Sequence, residues 1–128
     1  MAKANLAKKK ASPNSKYWKT KADEEWSKQI RAVGYCERCR GTGKLDAHHI
    51  ITRTRLRYRH DLSNGVCLCV QCHRFNPDIS PHIDSYGAEK FIAWLKVERP
   101  GQYEWYQANK DNKQLSDKTY RQAYEELR

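Results

Sequence analysis

The residues of this chain best suited to chemistry are four cysteines and three histidines set close together. They read Cys36-Glu-Arg-Cys39, then His48-His49, then Cys69-Val-Gln-Cys72-His73. Each C-x-x-C places two thiolates on one tight turn. Two such knuckles with 29 residues between them have the spacing of a four-thiolate structural zinc site. Their matched spacing argues against a chance set of core cysteines. Cys67, the odd fifth thiol, reads as a small buried hydrophobe. The histidines lie between and beside the knuckles, so they need not be zinc ligands; they look like a second site on a scaffold that the zinc holds rigid. Adjacent residues on a strand point to opposite sides, so of His48 and His49 one can face a metal and the other a substrate phosphate. Taken alone, His73 could equally be a surface residue, or a zinc ligand in place of a cysteine.

The spacing continues. From His49, Asn64 follows after 14 intervening residues and His73 after 8 more. The combination Asp46-Ala-His48-His49-Ile50, Ser63-Asn64-Gly65 and Leu68-Cys-Val-Gln-Cys72-His73, inside two knuckles, resembles the HNH endonuclease family over roughly residues 26–73. The stretch W-S-K-Q-I-R-x-x-G-Y-C-E-R-C is also similar to phage and prophage HNH nucleases. The resemblance implies an α+β fold: a ββα-metal element stapled by a four-cysteine zinc site, with flanking N- and C-terminal helices. It implies DNA phosphodiester hydrolysis with His49 as general base and a divalent cation (Mg²⁺, Mn²⁺ or Ni²⁺) held by His48 and His73. Asp46 would be a further ligand or a partner of one, and Asn64 would hold the loop and hydrogen-bond to orient His49. The two adjacent histidines could exchange roles. Where the family often carries a helix-borne lysine after the last histidine, this chain has Arg74 and then Asn76-Pro77. His60 and His82 have no motif support; His60 could touch phosphate, and His82 reads as a loop residue with a bland role.

The chain has 128 residues, 38% hydrophobic, a formal net charge of +10 and a mean hydropathy of −1.04. That bounds it to one domain plus tails with a small core, for which a metal staple is apt. No apolar run resembles a signal peptide or a membrane span, and paired free thiols suit a reducing cytoplasm, in a bacterium or a phage-infected cell. The charge is local: residues 1–22 hold seven lysines and no acid. A polyanion is the expected partner, DNA first and in duplex form, with no membrane. Arg53, Arg55, Arg57 and Arg59 alternate with other residues, so in an extended segment all four would line one face beside the scissile site. Lys8, Lys9 and Lys10 in the N-terminal arm would add sequence-independent grip. A phage or host DNA-processing protein is a further expected partner. Two rivals stand beside the DNA nuclease: a non-catalytic zinc-ribbon-like DNA-binding module, and a nuclease acting on RNA.

Around these residues, the pattern predicts a disordered basic arm over 1–17, a nuclease domain over 18–100 and a helical extension over 101–128. It predicts a helix over 20–33 with Asp23 in its first turn and an apolar stripe of Trp26, Ile30 and Val33. Strands are expected over 44–51 and 66–70, the second after a Ser63-Asn64-Gly65 turn. A short helix should start at the second knuckle and stop at Asn76-Pro77. Further helices are expected over 86–98, 102–110 and 116–127, with Ser116 as the N-cap of the last and Pro100-Gly101 as a break.

Overall fold

The computed structural model describes residues 12–76, 80–82 and 84–128. The lysines of the arm, Lys8, Lys9 and Lys10, lie outside the described residues. Helix α1 spans Lys16–Arg31. It begins four residues earlier than the pattern predicts because Ser15, not an acid, caps it: its Oγ accepts from the N–H of Trp18 at 3.4 Å. Asp23 therefore sits in the second turn, where its carboxylate is free to reach another element. Trp26 on this helix is buried, whereas Val33 falls beyond its end and is exposed.

Strands β1 (Leu45–His49) and β2 (Gly65–Cys69) form an antiparallel hairpin with Leu45 opposite Cys69 and His49 opposite Gly65. Two strands alone are marginal in water, so the hairpin needs helices against it. Helix α1 supplies one. The expected turn residue Gly65 instead opens β2, and its lack of a side chain is what lets α1 approach: a Cβ there would stand 2.2 Å from Ile30 Cδ1 and 2.9 Å from Trp26 Cζ2. Between the strands run a one-turn helix α2 (Leu56–Arg59) and a 3-10 turn over Leu62–Asn64.

After β2, the expected short helix is a single wide π turn, Gln71–Phe75, closed by the N–H of Asn76 on the carbonyl of Gln71 at 2.9 Å. Helix α3 (Ser85–Glu98) is capped by Asp84 and packs Phe91 and Leu95 against Val66, Leu68, Cys36 and Cys72, which is the core. The helix ends at Glu98 as expected, with Arg99, the residue before Pro100, out of helical conformation, but Pro100 itself is not left in a break. It occupies the first turn of α4 (Pro100–Asn109), where its missing N–H costs nothing. Helix α5 (Tyr120–Leu127) starts at a capping box of Thr119 and Gln122 rather than at Ser116. It lies on α1, with the rings of Trp18 and Tyr124 5.8 Å apart. Asn14 and Pro13 bond the backbone of Tyr120 and Arg121, so the chain is tied down before the expected end of the arm at residue 17. The fold is α+β, with helices flanking a small two-stranded sheet. Among the described residues no helix is long and apolar enough to cross a membrane.

Candidate metal centre and active site

The two knuckles converge. The sulfurs of Cys36, Cys39, Cys69 and Cys72 all lie within 4.8 Å of one another, and Cys39 and Cys69 are 3.7 Å apart. Backbone N–H groups point back at them: Cys39 N to Cys36 Sγ, Gly41 N to Cys39 Sγ and Cys72 N to Cys69 Sγ, each at 3.4 Å. Such donors favour thiolate over thiol. Burial pushes the Cys36 thiol up, but backbone donors from Cys39, Cys69 and Arg38 outweigh it and bring it down to about 7. Cys39 and Cys72 move the other way, Cys72 raised chiefly by burial and then by Cys69, because adjacent sulfurs resist sharing negative charge. Cys67 stands apart from all four. It is fully buried outside the cluster, and burial, with Glu37 nearby, pushes its thiol up to about 11. Four sulfurs with this spacing and these donors fit one tetrahedral metal ion.

A second cluster lies on the other side of β1. Ligand nitrogens of His48, His73 and His82 fall within 4.8 Å of one another. His48 packs edge-on against Phe91, with ring centroids 4.8 Å apart. Its Nδ1 is buried with no hydrogen-bond partner among the described residues, an omission that ordinarily costs about 1–3 kcal/mol. His73 Nδ1 donates to Asp46 Oδ2 at 2.9 Å, which turns its Nε2 toward His82 Nε2, also at 2.9 Å. Two nitrogens each about 2.0–2.1 Å from one cation sit roughly 3–3.5 Å apart, so the facing His73 and His82 nitrogens, with a His48 nitrogen within 4.8 Å, fit a shared divalent ion. Burial pulls His48 well below the ordinary imidazole value, with His73 and His82 adding to it. Burial lowers His82 too, ahead of His73 and Arg74. Both shifts keep these rings neutral, the ligating form.

Asp46, expected among the ligands or behind one, stands behind one: it bonds His73 and pairs with Arg74 Nε at 3.1 Å. His82, expected as a loop residue with a bland role, is brought beside the other two imidazoles. No periodicity links it to His73; its place is set by Ser80, whose Oγ donates to the His73 carbonyl at 2.7 Å and accepts from the His82 N–H at 3.3 Å. Ser80 in turn seats on Gly87 of α3, where a Cβ would meet the Ser80 carbonyl at 1.8 Å. The signal in the sequence was a histidine following Pro77 and Pro81 soon after a metal motif.

His49 faces away from that cluster, toward α1. Its ring stacks on Trp26, with centroids 4.0 Å apart and planes 9° apart. Its Nε2 donates to the carbonyl of Arg59 at 2.9 Å. Burial lowers its pKa from the ordinary imidazole value, against the raising effect of that bond. Asn64 does not bond the ring. Its Oδ1 accepts from Ile51 N at 2.6 Å, and its Nδ2 donates to the carbonyls of Ile51 and Tyr58 at 2.9 and 3.1 Å. It thus clamps both ends of the loop whose Arg59 carbonyl holds His49.

Residues 36–76 match the HNH endonuclease family. Over that segment the chain is similar to an HNH domain. No curated protein and no solved structure matches the chain.

The arginines of the loop between the two strands do not form one extended face. Leu56–Arg59 is helical, and three of the four side chains are engaged within the fold. Arg55 donates to the carbonyls of Lys110 and Asn112 at 2.9 and 2.7 Å, just past the C-terminus of α4, where free carbonyls attract a cation. Arg57 reaches the carbonyl of Leu115 at 3.3 Å, and Arg59 makes a two-point pair with Asp23. Arg53 alone is exposed, and it lines a cleft of about 730 Å³ together with Trp26, His48, His49, His73 and His82. His60 is held by Asp23 at 2.7 Å rather than turned out to meet phosphate.

Proposed function

We propose that this protein is a metal-dependent endonuclease that hydrolyses DNA phosphodiester bonds. The observation that carries the reading is the division of labour at two neighbouring positions of β1. His48 joins two other imidazoles, and His49 is fixed alone by a carbonyl and an indole, yet both line one cleft. With Nε2–H bonded to Arg59, His49 keeps a lone pair on Nδ1, and its lowered pKa keeps that lone pair available at neutral pH. Nδ1 takes the proton from the attacking water. His48, His73 and His82 hold the divalent cation, and Asp46 fixes the His73 tautomer. When bound, such an ion supplies Lewis-acid stabilisation of the phosphate and leaving oxygen. Arg53, at the rim, pairs with a flanking phosphate. The four cysteines hold Zn²⁺ as a structural ion and suit a reducing cytoplasm.

The four-cysteine cluster would equally serve a non-catalytic zinc-bearing DNA binder. Supercoiled plasmid incubated with Mg²⁺, Mn²⁺, Ni²⁺ or EDTA separates the two. Nicked product with a cation, absent with EDTA and absent in His49→Ala, is expected. Retained DNA binding with no cleavage under any cation would favour the binder; parallel assays on RNA test the choice of sugar.

A further inference from the structure

We infer that helix α1 belongs to the catalytic apparatus, with Asp23 and Trp26 as positioning residues for His49; this rests on His49 acting as the base. Helix α1 spans Lys16–Arg31 and so lies wholly before the matched residues 36–76. Asp23 and Trp26 are three apart on it and share a face. Trp26 fixes the plane of the His49 ring by stacking at 4.0 Å, and its own plane is pinned by Nε1 donating to the carbonyl of Asp61 at 2.8 Å.

Asp23 acts one step further back. Its Oδ1 and Oδ2 accept from Arg59 Nε and Nη2 at 2.8 and 2.9 Å, and Oδ1 also meets His60 Nε2 at 2.7 Å. These bonds immobilise the residue whose carbonyl accepts the His49 Nε2–H. The ring is thus held on its face by one α1 residue and along its edge, through Arg59, by another. Gly65 makes the arrangement reachable, since it stands opposite His49 and leaves room for Trp26 and Ile30. A base that must deliver a lone pair along one line gains from both constraints, because a misplacement on the order of 1 Å can cost about 10²-fold in rate.

The test uses the full chain loaded with metal. Asp23→Asn keeps the shape of a half-exposed residue and removes its charge; Trp26→Phe keeps a stacking ring and Trp26→Leu does not. Expected under single turnover are losses of roughly 10- to 100-fold in cleavage rate for Asp23→Asn and Trp26→Leu. DNA affinity and cation affinity should stay near wild type, and Trp26→Phe should recover most of the rate. Long-range ¹H–¹⁵N correlation spectra read the tautomer directly. The wild type should show His49 protonated on Nε2 alone, and Asp23→Asn a mixture of tautomers. Wild-type rate and an unmixed tautomer in Asp23→Asn would overturn the proposal, as would a rate loss matched by equal losses of DNA and cation affinity. If the wild type cleaves nothing, the nuclease reading fails, while the tautomer spectra still decide whether α1 fixes the ring.

Discussion

The Nε2 atoms of His73 and His82 face each other at 2.9 Å, although Pro77 and Pro81 both fall between the two residues in the chain. That contact makes a three-imidazole site out of a two-histidine motif. His82→Ala should weaken binding of the catalytic cation by at least about 10- to 100-fold, the range seen when even an outer partner of a ligand is lost. Raised Mn²⁺ or Ni²⁺ should restore much of the cleavage. Calorimetric metal titration of protein whose cysteine cluster is already filled provides the check, and unchanged affinity would remove His82 from the site.

Gly87→Ala should harm the same site from a distance. The added Cβ would collide with the Ser80 carbonyl, and Ser80 is what seats the His82 N–H. The expected result is reduced cation affinity and a destabilisation of about 1–3 kcal/mol, typical of overpacking. Urea unfolding and metal titration read the two effects separately. Wild-type values in both would mean that the Ser80 segment yields without disturbing His82.

The loop arginines should divide by role. Arg55→Ala removes two charge-assisted bonds to carbonyls beyond α4 and should cost about 1.5–3 kcal/mol of stability. Arg53→Ala, at the rim of the cleft, should leave stability unchanged, weaken DNA binding across unrelated sequences and lower the log–log salt slope by about 0.9. Melting curves and binding isotherms at several salt concentrations distinguish them.

Acid should inactivate late. His49 must be neutral to act as base, and burial holds its pKa below the ordinary value of 6.5. The acid limb of the rate profile should therefore fall below pH 6.5 rather than at it. The stability linkage has the same sign: His48, His49 and His82 all have lowered values in the folded chain, so the unfolded chain binds more protons below pH 6.5. Their contribution is complete above pH 6.5 and declines as pH falls toward the folded values. Rate and urea midpoints measured from about pH 5 to 8, with metal content followed at each pH, test both statements.

The cysteines should separate cleanly. Cys39→Ser or Cys72→Ser should release the structural metal and unfold the domain, whereas Cys67→Ala, outside the cluster, should retain metal stoichiometry with a modest loss of packing. Elemental analysis with circular dichroism provides the readout.

Sequence alone determined the two knuckles, the hairpin between them and the opposed directions of His48 and His49. Each follows from local rules: the reach of a C-x-x-C turn, the alternation of side chains on a strand, and the caps and breakers around helices. Even there, local signals shifted boundaries, as when Ser15 rather than the acids near Asp23 started α1. Tertiary structure decided whatever depended on distant partners. The alternating arginines looked like a phosphate-binding face because nothing nearby in sequence opposes them; the folded chain brings Asp23 and the carbonyls beyond α4 to them. His82 looked idle because the Ser80–Gly87 contact that returns it to His73 crosses between elements. His49 looked oriented by Asn64, whereas the ring is held by Arg59 and by Trp26, the latter from a helix before the motif. Residue types and spacing specify which groups can do chemistry; only close packing of separate elements specifies which of them meet.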